Sequence, residues 1–325
     1  MTDTPSLQTL SDLRTPWCLH VVATLRIADH VAAGTSDVTS LAEWAMCDAD
    51  ALHRVMTHLA TMGVFVETSP GQFALNELSS KLREPSTRIG LDLDGIGGRM
   101  AGAWGTLLGY VRTGRPVYRE LFGRPFWEDL DAHPEIAASF DALIGPAGHG
   151  TPSVDFEVTG GWDAVRTVVD VGGGTGALLA ELLRTRPHLR GILVDLPRTV
   201  ARSAELFRAA GVSDRVETIG QSFFDPLPDG ADLYLLKSVL NDWPDREATE
   251  ILRRCAAAAR TQGRVLVLGG LGPEDSTRGI EIEMVLCGGQ HRTLSQFGEL
   301  ARGAGLEVAA AGRQGKYFVV ECRPS

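Results

Sequence analysis

The sequence predicts an α/β protein in two parts, a mainly α N-terminal domain of the winged-helix type and a C-terminal, Rossmann-like doubly wound sheet. Two observations support this prediction. The chain has 325 residues, which is long for one domain. Its first hundred residues show helical spacing, whereas short β-branched runs alternate with helical stretches from Val165 onward. We therefore expect a winged-helix domain over 1–87, a helical connector over 88–150 and the sheet domain over 151–325.

The N-terminal part predicts helices followed by a small hairpin. Apolar spacing over 21–31 predicts one amphipathic helix, and Thr39 offers a cap for the next. A further helix is expected over 51–62, with its end at Gly63. Two extended segments then flank the turn at 69–71, which gives the helix, turn, helix, wing order of a winged helix.

Charge argues against a DNA-binding role for this domain. The expected recognition helix begins with Asp48 and Asp50 and carries only Arg54 as a fixed positive charge. The whole chain has a net charge of −10, whereas nucleic acid and anionic membranes are bound by basic surfaces. The sequence therefore favours an association or lid module, with no nucleic-acid or membrane partner.

The composition predicts a cytoplasmic protein. The N-terminus lacks a basic segment followed by an apolar core, as a secretory signal requires. No run approaches the roughly 20 apolar residues that span a bilayer. The cysteines are scattered and contain no CxxC pair: Cys18, Cys47, Cys255, Cys287 and Cys322. This pattern predicts reduced thiols, without a disulfide framework or a metal site.

The connector predicts more helices. Met100, Trp104, Leu107, Leu108 and Val111 fall on one helical stripe. A stripe of this kind is more often part of a core than of a pocket, and spacing alone leaves both interpretations open.

Strands and helices alternate in the C-terminal part. Strands are expected at 167–171, 191–195, 216–219, 233–236 and 264–268, with helices at 177–184, 201–210 and 246–259. Two final extended runs, at 306–311 and 316–322, flank a glycine turn. The pattern predicts a parallel doubly wound sheet closed by an antiparallel hairpin.

A glycine-rich loop follows the first of these strands. Gly172, Gly173, Gly174 and Gly176 lead into a helix, so that backbone N–H groups can approach a ligand closely. The same glycines also fit the loose dinucleotide pattern. Asp195 ends the second strand, where either class of cofactor needs a carboxylate for its ribose hydroxyls. The glycines alone therefore predict only a nucleotide-like cofactor.

Asp170 separates the two cofactor classes. It stands inside the strand, two residues before Gly172. A carboxylate there would repel a pyrophosphate but suits a ligand with an amino group and a sulfonium charge. The position of the loop in mid-chain and the closing hairpin agree with this, and together they favour S-adenosyl-L-methionine over a nicotinamide cofactor.

Six motifs then occur in one order along the chain. They are VDVGGGTG at 169–176, DLP at 195–197, SFFDPLP at 222–228, LKSVLNDWPD at 236–245, ILRRC at 251–255 and GGQHRT at 288–293. In this order they resemble the caffeate/hydroxyindole-type O-methyltransferases over nearly the whole chain. The segments VRTGRP at 111–116 and FGRPFWEDL at 122–130 are similar to the actinobacterial branch that tailors anthracyclines and enediyne naphthoates.

The resemblance implies an S-adenosylmethionine-dependent methyltransferase of antibiotic biosynthesis. Its acceptor would be a phenolic or aromatic-polyketide-like metabolite, and its N-terminal domain would form a homodimer. By position, the cofactor would be bound by Asp170, Gly172, Gly174, Gly176, Asp195, Leu196, Ser222, Phe223 and Lys237. The acceptor pocket would be lined by Met100, Trp104, Phe126, Met284 and Cys287, and Arg292 is a candidate partner for an acceptor carboxylate or carbonyl.

The catalytic positions depart from the family. Plant-type members carry a histidine base before Asp-Trp, supported by two glutamates, and these positions are Asn241, Gly269 and His291 here. Since asparagine cannot act as a general base, two hypotheses follow. In the first, His291 is the base, because an imidazole with a usual pKa of about 6.5 suits that role. In the second, positioning of the acceptor suffices. Asp242 is a candidate hydrogen-bond partner of the acceptor in either case.

A second function stays open at this point. Some relatives keep the cofactor but catalyse hydroxylation, decarboxylation or ring closure, and the loss of the usual base is compatible with such a reaction or with C-methylation. A winged-helix regulator that carries an inactive enzyme domain is disfavoured by the acidic recognition helix. No metal is expected, because acids and histidines with ligand spacing are not found.

Overall fold

The computed structural model describes residues 6–145, 151–260, 262–275 and 288–325. Within these ranges the chain forms two compact units. One contains residues 6–102 and 133–145, and the other contains residues 103–132 together with the chain from 151 onward. The stretch expected to be a connector, 88–150, is thus divided between the two units.

Short helices and one hairpin make up the N-terminal part. The elements are α1 (Leu7–Leu10), α2 (Arg14–Thr24), α3 (Ile27–Ala32), α4 (Val38–Ala45), α5 (Ala49–Thr61), β1 (Phe65–Ser69), β2 (Gln72–Leu75), α6 (Glu77–Ser80), α7 (Pro85–Leu91) and α8 (Ile96–Trp104). β1 and β2 follow α4 and α5 in the chain and pair antiparallel. This confirms the mainly α domain with a wing. Leu41, Met56 and Phe73 lie fully buried in its core.

The acidic residues before α4 and α5 are helix caps. Asp37 accepts a hydrogen bond from the Ser40 N–H at 3.0 Å, and Asp48 accepts one from the Ala51 N–H at 2.8 Å. Each carboxylate satisfies an N–H group that the first helical turn leaves without a partner. Thr39, the expected cap of α4, lies inside the helix instead.

Two stretches that were expected to be single helices are broken. The helix predicted over 21–31 is α2 followed by α3, because Arg26 between them has a left-handed φ of 57°. The stripe from Met100 to Val111 is likewise divided, since α8 ends at Trp104. Leu108 and Val111 are 60% and 70% exposed, so this stripe does not form a buried core.

Four helices lie between the sheet and α8 in the sequence. They are α9 (Leu107–Thr113), α10 (Tyr118–Phe122), α11 (Phe126–Ala132) and α12 (Pro134–Ile144). α9, α10 and α11 belong to the unit that contains the sheet, whereas α12 belongs to the N-terminal unit.

The sheet unit alternates strands and helices. Its elements are β3 (Thr167–Val171), α13 (Ala177–Thr185), β4 (Arg190–Asp195), α14 (Pro197–Val200), α15 (Ser203–Ala209), β5 (Val216–Gly220), β6 (Leu233–Lys237), α16 (Asp245–Ala259), β7 (Arg264–Leu268), β8 (Leu271–Gly272), β9 (Arg292–Thr293), α17 (Leu294–Gly303), β10 (Leu306–Gln314) and β11 (Tyr317–Pro324). β8 and β9 form a separate short pair.

The seven-stranded sheet has the order β10-β11-β7-β6-β3-β4-β5. β3 to β7 run parallel, while β11 lies antiparallel between β7 and β10. This confirms the doubly wound sheet with its closing hairpin. The connections reverse direction between β3 and β6, and open parallel sheets bind ligands at the carboxyl ends of their strands at such a point.

Helices cover both faces of the sheet. On one face Ile251 of α16 and Phe297 of α17 pack in the core, and on the other Leu179 of α13 and Phe207 of α15 do so. Because both faces are buried, the carboxyl edge is where the sheet can meet a ligand. None of the helices in the described parts of the chain has the length and apolarity needed to span a bilayer.

Candidate active site

The glycine-rich loop joins β3 to α13 at the point where the connections reverse. Gly172, Gly174 and Gly176 have φ values of 69°, 62° and 84°, in the left-handed region that favours glycine. A Cβ atom at Gly174 would meet nothing within 4 Å, so its backbone is open to a ligand. The loop therefore presents bare backbone at the N-terminus of a nine-residue helix.

Asp195, at the end of β4, fixes the shape of this loop. Its Oδ2 accepts a hydrogen bond from the Gly174 N–H at 2.8 Å, and its Oδ1 accepts one from the Leu196 N–H at 2.7 Å. Burial raises the pKa of Asp195, and these two backbone hydrogen bonds oppose that rise. The carboxylate thus lies at the expected strand end and also braces the cofactor loop.

Asp170 is a buried carboxyl group directly beneath the loop. It is 1% exposed, and its Oδ2 has no hydrogen-bond partner among the described residues. Burial and, next, the charge of Asp195 raise the pKa of Asp170 to about 7, while Lys237 lowers it. A side chain at Gly173 would collide with this carboxyl group, so only glycine fits there. A buried acceptor without a protein donor, beside open backbone, fits a ligand that carries a cationic amino group.

Lys237 ends β6, next to β3 in the sheet. Burial lowers the pKa of Lys237, and Lys316 adds to this effect, whereas Asp170 and Asp242 raise the pKa. The Lys237 ammonium group therefore interacts electrostatically with two carboxyl groups, that of Asp170 beneath the glycine loop and that of Asp242, which follows Asn241.

An aromatic cluster stands at the ends of β5 and β6. Trp243 makes edge contacts with Phe223 at 5.8 Å and with Phe224 at 5.1 Å between ring centroids. It also stacks on Trp127 of α11 at 5.7 Å, with the two rings 15° from parallel. Ser222 accepts a hydrogen bond from the Phe224 N–H at 3.2 Å. Flat aromatic faces of this kind suit an adenine ring.

Trp127 and Trp243 were missed by sequence reasoning, which selected Phe126 as a pocket residue. Phe126 is 1% exposed and packs edge-on against Tyr118 at 5.5 Å and Trp127 at 5.0 Å. It supports α11 from within the fold, and its neighbour presents a ring to the site. The one signal available was the tryptophan of the Asp-Trp-Pro motif.

The positions at which the chain differs from the plant-type enzymes that it resembles lie on adjacent loops. The Gln290 N–H donates to the Asn241 carbonyl at 2.7 Å, and the Arg292 N–H donates to the Gly270 carbonyl at 3.2 Å. His291 therefore lies between Gln290, whose backbone is bonded to the loop after β6, and Arg292, whose backbone is bonded to the loop after β7. The structure thus brings together the three segments that carry the expected catalytic residues.

Asn241 carries a buried side-chain oxygen in the loop after β6. Its Nδ2 donates to Asp242 Oδ1 at 2.9 Å, while its Oδ1 lacks a hydrogen-bond partner in the described parts of the chain. Gly269 and Gly270 have φ values of 76° and 69°, and a Cβ at Gly270 would lie 2.6 Å from Asn241 Oδ1. Glycine is required there for the close approach of the two loops.

The interpretation of Arg292 as a partner of the acceptor is contradicted by its surroundings. Its side chain is 1% exposed. Nε donates to Asp245 Oδ1 at 2.9 Å, and Nη1 donates to the carbonyls of Leu240 at 2.7 Å and Gln290 at 3.3 Å. Nη2 donates to the Trp243 carbonyl at 2.7 Å and lies 2.9 Å from Asp245 Oδ1. Four hydrogen bonds and the ion pair with Asp245 thus hold the guanidinium within the protein.

The remaining residues expected at the acceptor pocket are Met100, Trp104, Met284 and Cys287. Met284 and Cys287 lie outside the described residues. Met100 is half-buried in the N-terminal unit, and Trp104, which ends α8, is 43% exposed. Within the described ranges, no group of three or more His, Cys, Asp or Glu side chains can hold a metal ion.

Comparison with known proteins identifies the family. Residues 104–307 match the O-methyltransferase domain, and residues 7–84 match the O-methyltransferase dimerisation domain. The chain belongs to the O-methyltransferase family. Since this family and the fit of the loop agree, the chain is an S-adenosylmethionine-dependent methyltransferase.

Several relatives of this O-methyltransferase are enzymes of Streptomyces. It is 40% identical to the 2,7-dihydroxy-5-methyl-1-naphthoate 7-O-methyltransferase of Streptomyces carzinostaticus, over 94% of this chain and 93% of that protein. It is 38% identical to the aclacinomycin 10-hydroxylase RdmB of Streptomyces purpurascens, over 94% and 84% respectively.

Solved structures agree with this grouping. The O-methyltransferase NcsB1 from neocarzinostatin biosynthesis, crystallised with S-adenosylmethionine and 2-hydroxy-5-methyl naphthoic acid, matches with a TM-score of 0.89. Its sequence is 37% identical, and each chain is covered completely.

Proposed function

We propose that this O-methyltransferase methylates a phenolic hydroxyl of a fused-ring aromatic secondary metabolite, with a hydroxynaphthoate as the first candidate. The similarity to the naphthoate 7-O-methyltransferase carries the proposal, because it extends over 94% of the chain at 40% identity. The naphthoic acid in the NcsB1 crystal supports the same class of acceptor.

S-adenosylmethionine, when bound, supplies an activated methyl group on a sulfonium centre. We assign its methionine part to the backbone of Gly172, Gly174 and Gly176 and to Asp170, whose unpartnered oxygen can accept from an amino group. We assign the ribose to Asp195 and Leu196, and the adenine to Ser222 and Phe223. Lys237 interacts electrostatically with Asp170, beneath the glycine loop, and with Asp242, which follows Asn241.

We assign the acceptor hydroxyl to the loop that contains Asn241 and Asp242. Asp242 accepts a hydrogen bond from Asn241 Nδ2 and so fixes the amide orientation. Asn241 Oδ1, buried and without a partner among the described atoms, then accepts a hydrogen bond from the acceptor. Holding the hydroxyl in this way would supply the positioning that an in-line displacement requires.

In the alternative proposal, His291 accepts the hydroxyl proton in place of Asn241 Oδ1 and acts as the general base. Its backbone neighbours are bonded to Asn241 and Gly270, so the imidazole is attached to the same loops as the acceptor site. The test is the His291→Gln variant, assayed for methyl transfer from pH 6 to pH 9. A base requires a large loss of rate and a changed pH profile. Unchanged rate and profile would leave positioning by Asn241 and Asp242 as the sole contribution.

We further propose that the N-terminal domain, 1–87, joins two copies of the chain. Residues 7–84 match a dimerisation domain, and the domain exposes large apolar side chains such as Trp44 at 66% and Met46 at 93%. Exposed apolar groups on one domain are typical of an interface. Sedimentation of the wild type and of a Trp44→Glu, Met46→Glu variant tests this, and a monomeric wild type would refute it.

The methyltransferase proposal is tested with methyl-labelled S-adenosylmethionine and a panel of acceptors. The panel contains 2,7-dihydroxy-5-methyl-1-naphthoate, 2-hydroxy-5-methyl naphthoic acid and 1,4-dihydroxy-2-naphthoic acid, each beside an analogue without the hydroxyl groups. Transfer of label to a hydroxylated compound, with none to its analogue, supports the proposal.

One relative supports a second candidate function. RdmB, 38% identical to this chain, carries the name of a hydroxylase, and the residue at the usual base position is Asn241. Consumption of an anthracycline-type acceptor with incorporation of oxygen, and without transfer of the labelled methyl group, would favour this alternative over methylation.

A further inference from the structure

We propose that Arg292 is a positioning residue, which holds the loops after β6 and β7 and the segment 288–293 in one arrangement and so sets the geometry of Asn241, Asp242 and His291. The inference rests on the roles proposed above for these three residues. Arg292 itself contacts neither reactant, because its side chain is 1% exposed and bonded only to protein.

The guanidinium binds both ends of the turn that presents Asn241. A 3₁₀ turn spans Leu240–Asp242 in the loop after β6. Arg292 donates to the Leu240 carbonyl, where the turn begins, and to the Trp243 carbonyl just after it ends, both at 2.7 Å. The alternative donor to Leu240, the Trp243 N–H, lies at 3.4 Å. Arg292 is therefore the closer donor to a buried carbonyl that would otherwise be poorly satisfied.

The backbone of Arg292 is bonded to the turn that follows β7. The Arg292 N–H donates to the Gly270 carbonyl at 3.2 Å, and residue 292 pairs with Leu271 in the short β8–β9 ladder. Arg292 thus connects three segments. They are the loop after β6, about fifty residues earlier in the chain, the turn after β7, and its own segment, 288–293. His291 is the residue immediately before it.

Only arginine has the geometry for this role. Its planar fork presents five donors in fixed directions, whereas the lysine ammonium is a single compact charge with three donors. A lysine at 292 keeps the charge but cannot reach the carbonyls of Leu240, Trp243 and Gln290 together. The Arg292→Lys variant therefore measures the loss of the fork separately from the loss of the charge.

Asp245 orients the guanidinium from the solvent side. Its Oδ1 lies 2.9 Å from both Nε and Nη2, yet its side chain is 59% exposed. Since exposed ion pairs contribute little, the carbonyl bonds carry most of the effect. Asp245→Asn is thus the milder variant, in which the fork loosens but stays in place.

The chain offers a matched control in Arg264. It is a second buried arginine, 11% exposed in its side chain, which lies 3.6 Å from Glu321 and donates to the Thr159 carbonyl. It begins β7, at the edge of the sheet opposite the site. Arg264→Lys makes the same chemical change at another buried place without touching the three loops.

The experiment compares Arg292→Lys, Asp245→Asn and Arg264→Lys with the wild type in the full-length protein. Single-turnover methyl transfer to the best acceptor of the panel gives the chemical rate, and calorimetry gives the affinity for S-adenosylhomocysteine. Hydrogen–deuterium exchange by mass spectrometry reports on segments 238–245 and 288–293 and needs no acceptor. If the wild type methylates nothing in the panel, the proposed function fails, while exchange still decides the role of Arg292.

We expect Arg292→Lys to lower the chemical rate by about 100-fold, because small misplacements of reacting groups have effects of this size. Affinity for S-adenosylhomocysteine should fall by no more than about fivefold, since Arg292 can affect the adenine side only through Trp243, while exchange rises in segments 238–245 and 288–293. Asp245→Asn should lower the rate by about twofold to fivefold. Arg264→Lys should keep the rate and loosen only the region around Thr159.

Three results would overturn the proposal. The first is a wild-type rate in Arg292→Lys, and the second is an equal loss of rate in Arg292→Lys and Arg264→Lys. The third is faster exchange throughout the sheet together with lost cofactor affinity, which would make Arg292 a general stability residue. Should Arg292→Lys fail to fold, Asp245→Asn decides, and unchanged rate and exchange in that variant refute the proposal.

Discussion

Asp170→Asn should remove a pH-dependent loss of stability from the cofactor-free enzyme. The wild-type carboxyl group is 1% exposed and has a pKa of about 7, because burial and then Asp195 disfavour its charged form. The ordinary value for this side chain is 3.8. Between these two values the folded protein holds a proton that the unfolded chain has released, so its stability falls as the pH rises through that window.

The size of the effect follows from the two pKa values. The difference is about 3 pH units, and each unit corresponds to about 1.4 kcal/mol, so the full effect above pH 7 is about 4 kcal/mol. Between pH 5 and pH 8 the free energy of unfolding should fall by about 2.5 kcal/mol through this group. Asparagine is neutral throughout and nearly the same size, so this part of the pH dependence should vanish in the variant.

Urea unfolding at pH 5, 6, 7 and 8, followed by circular dichroism on cofactor-free protein, measures the effect. Glu217→Gln removes one negative charge from an exposed position of β5 and controls for net charge. Through this group the variant should be more stable than the wild type by about 1.5 kcal/mol at pH 5 and by about 4 kcal/mol at pH 8. A difference between them that stays constant from pH 5 to pH 8 would show that Asp170 does not titrate in this window, and the reasoning would be wrong.

Three other substitutions test the site. Gly270→Ala places a methyl group 2.6 Å from Asn241 Oδ1 at a φ of 69°, and should lower both the melting temperature and the methyl-transfer rate, the latter about tenfold; wild-type values for both would contradict the packing described. Trp127→Ala removes the stack on Trp243, worth about 1 kcal/mol, and should weaken S-adenosylhomocysteine binding about fivefold in calorimetry. Asp195→Asn weakens a charged hydrogen bond to the glycine loop and should cost roughly tenfold in the same assay.

The sheet could be predicted closely from the sequence because its signal is local. β3 and β7 were placed at the residues where they occur, since each is a short apolar run buried on both faces and bounded by turn residues. The break between α2 and α3 could not be found in this way. It depends on the left-handed backbone of Arg26, and helical spacing continues across that residue.

The cofactor half of the site was easier to anticipate than the acceptor half. Asp170 and Asp195 act on the glycine loop that they flank, so motif and site nearly coincide in the sequence. The sequence offered Arg292 as a candidate partner for an acceptor carboxylate or carbonyl. Its partners lie about fifty residues earlier in the chain, and only the folded arrangement reveals that the carbonyls of Leu240 and Trp243 occupy its donors.

The same contacts suggest that the departures from the plant-type residues are coupled. Gly270 has no side chain where a Cβ would meet Asn241, and Gly269 has a φ of 76° that a glutamate could adopt only with strain. A histidine at 241 would therefore lack its supporting carboxylate, and a glutamate at 269 would require the turn after β7 to change its backbone. That turn is bonded to Arg292, whose guanidinium in turn holds the loop of Asn241. Because each loop sets the position of the next, a change of catalytic group in one of them requires a matching change in the other two.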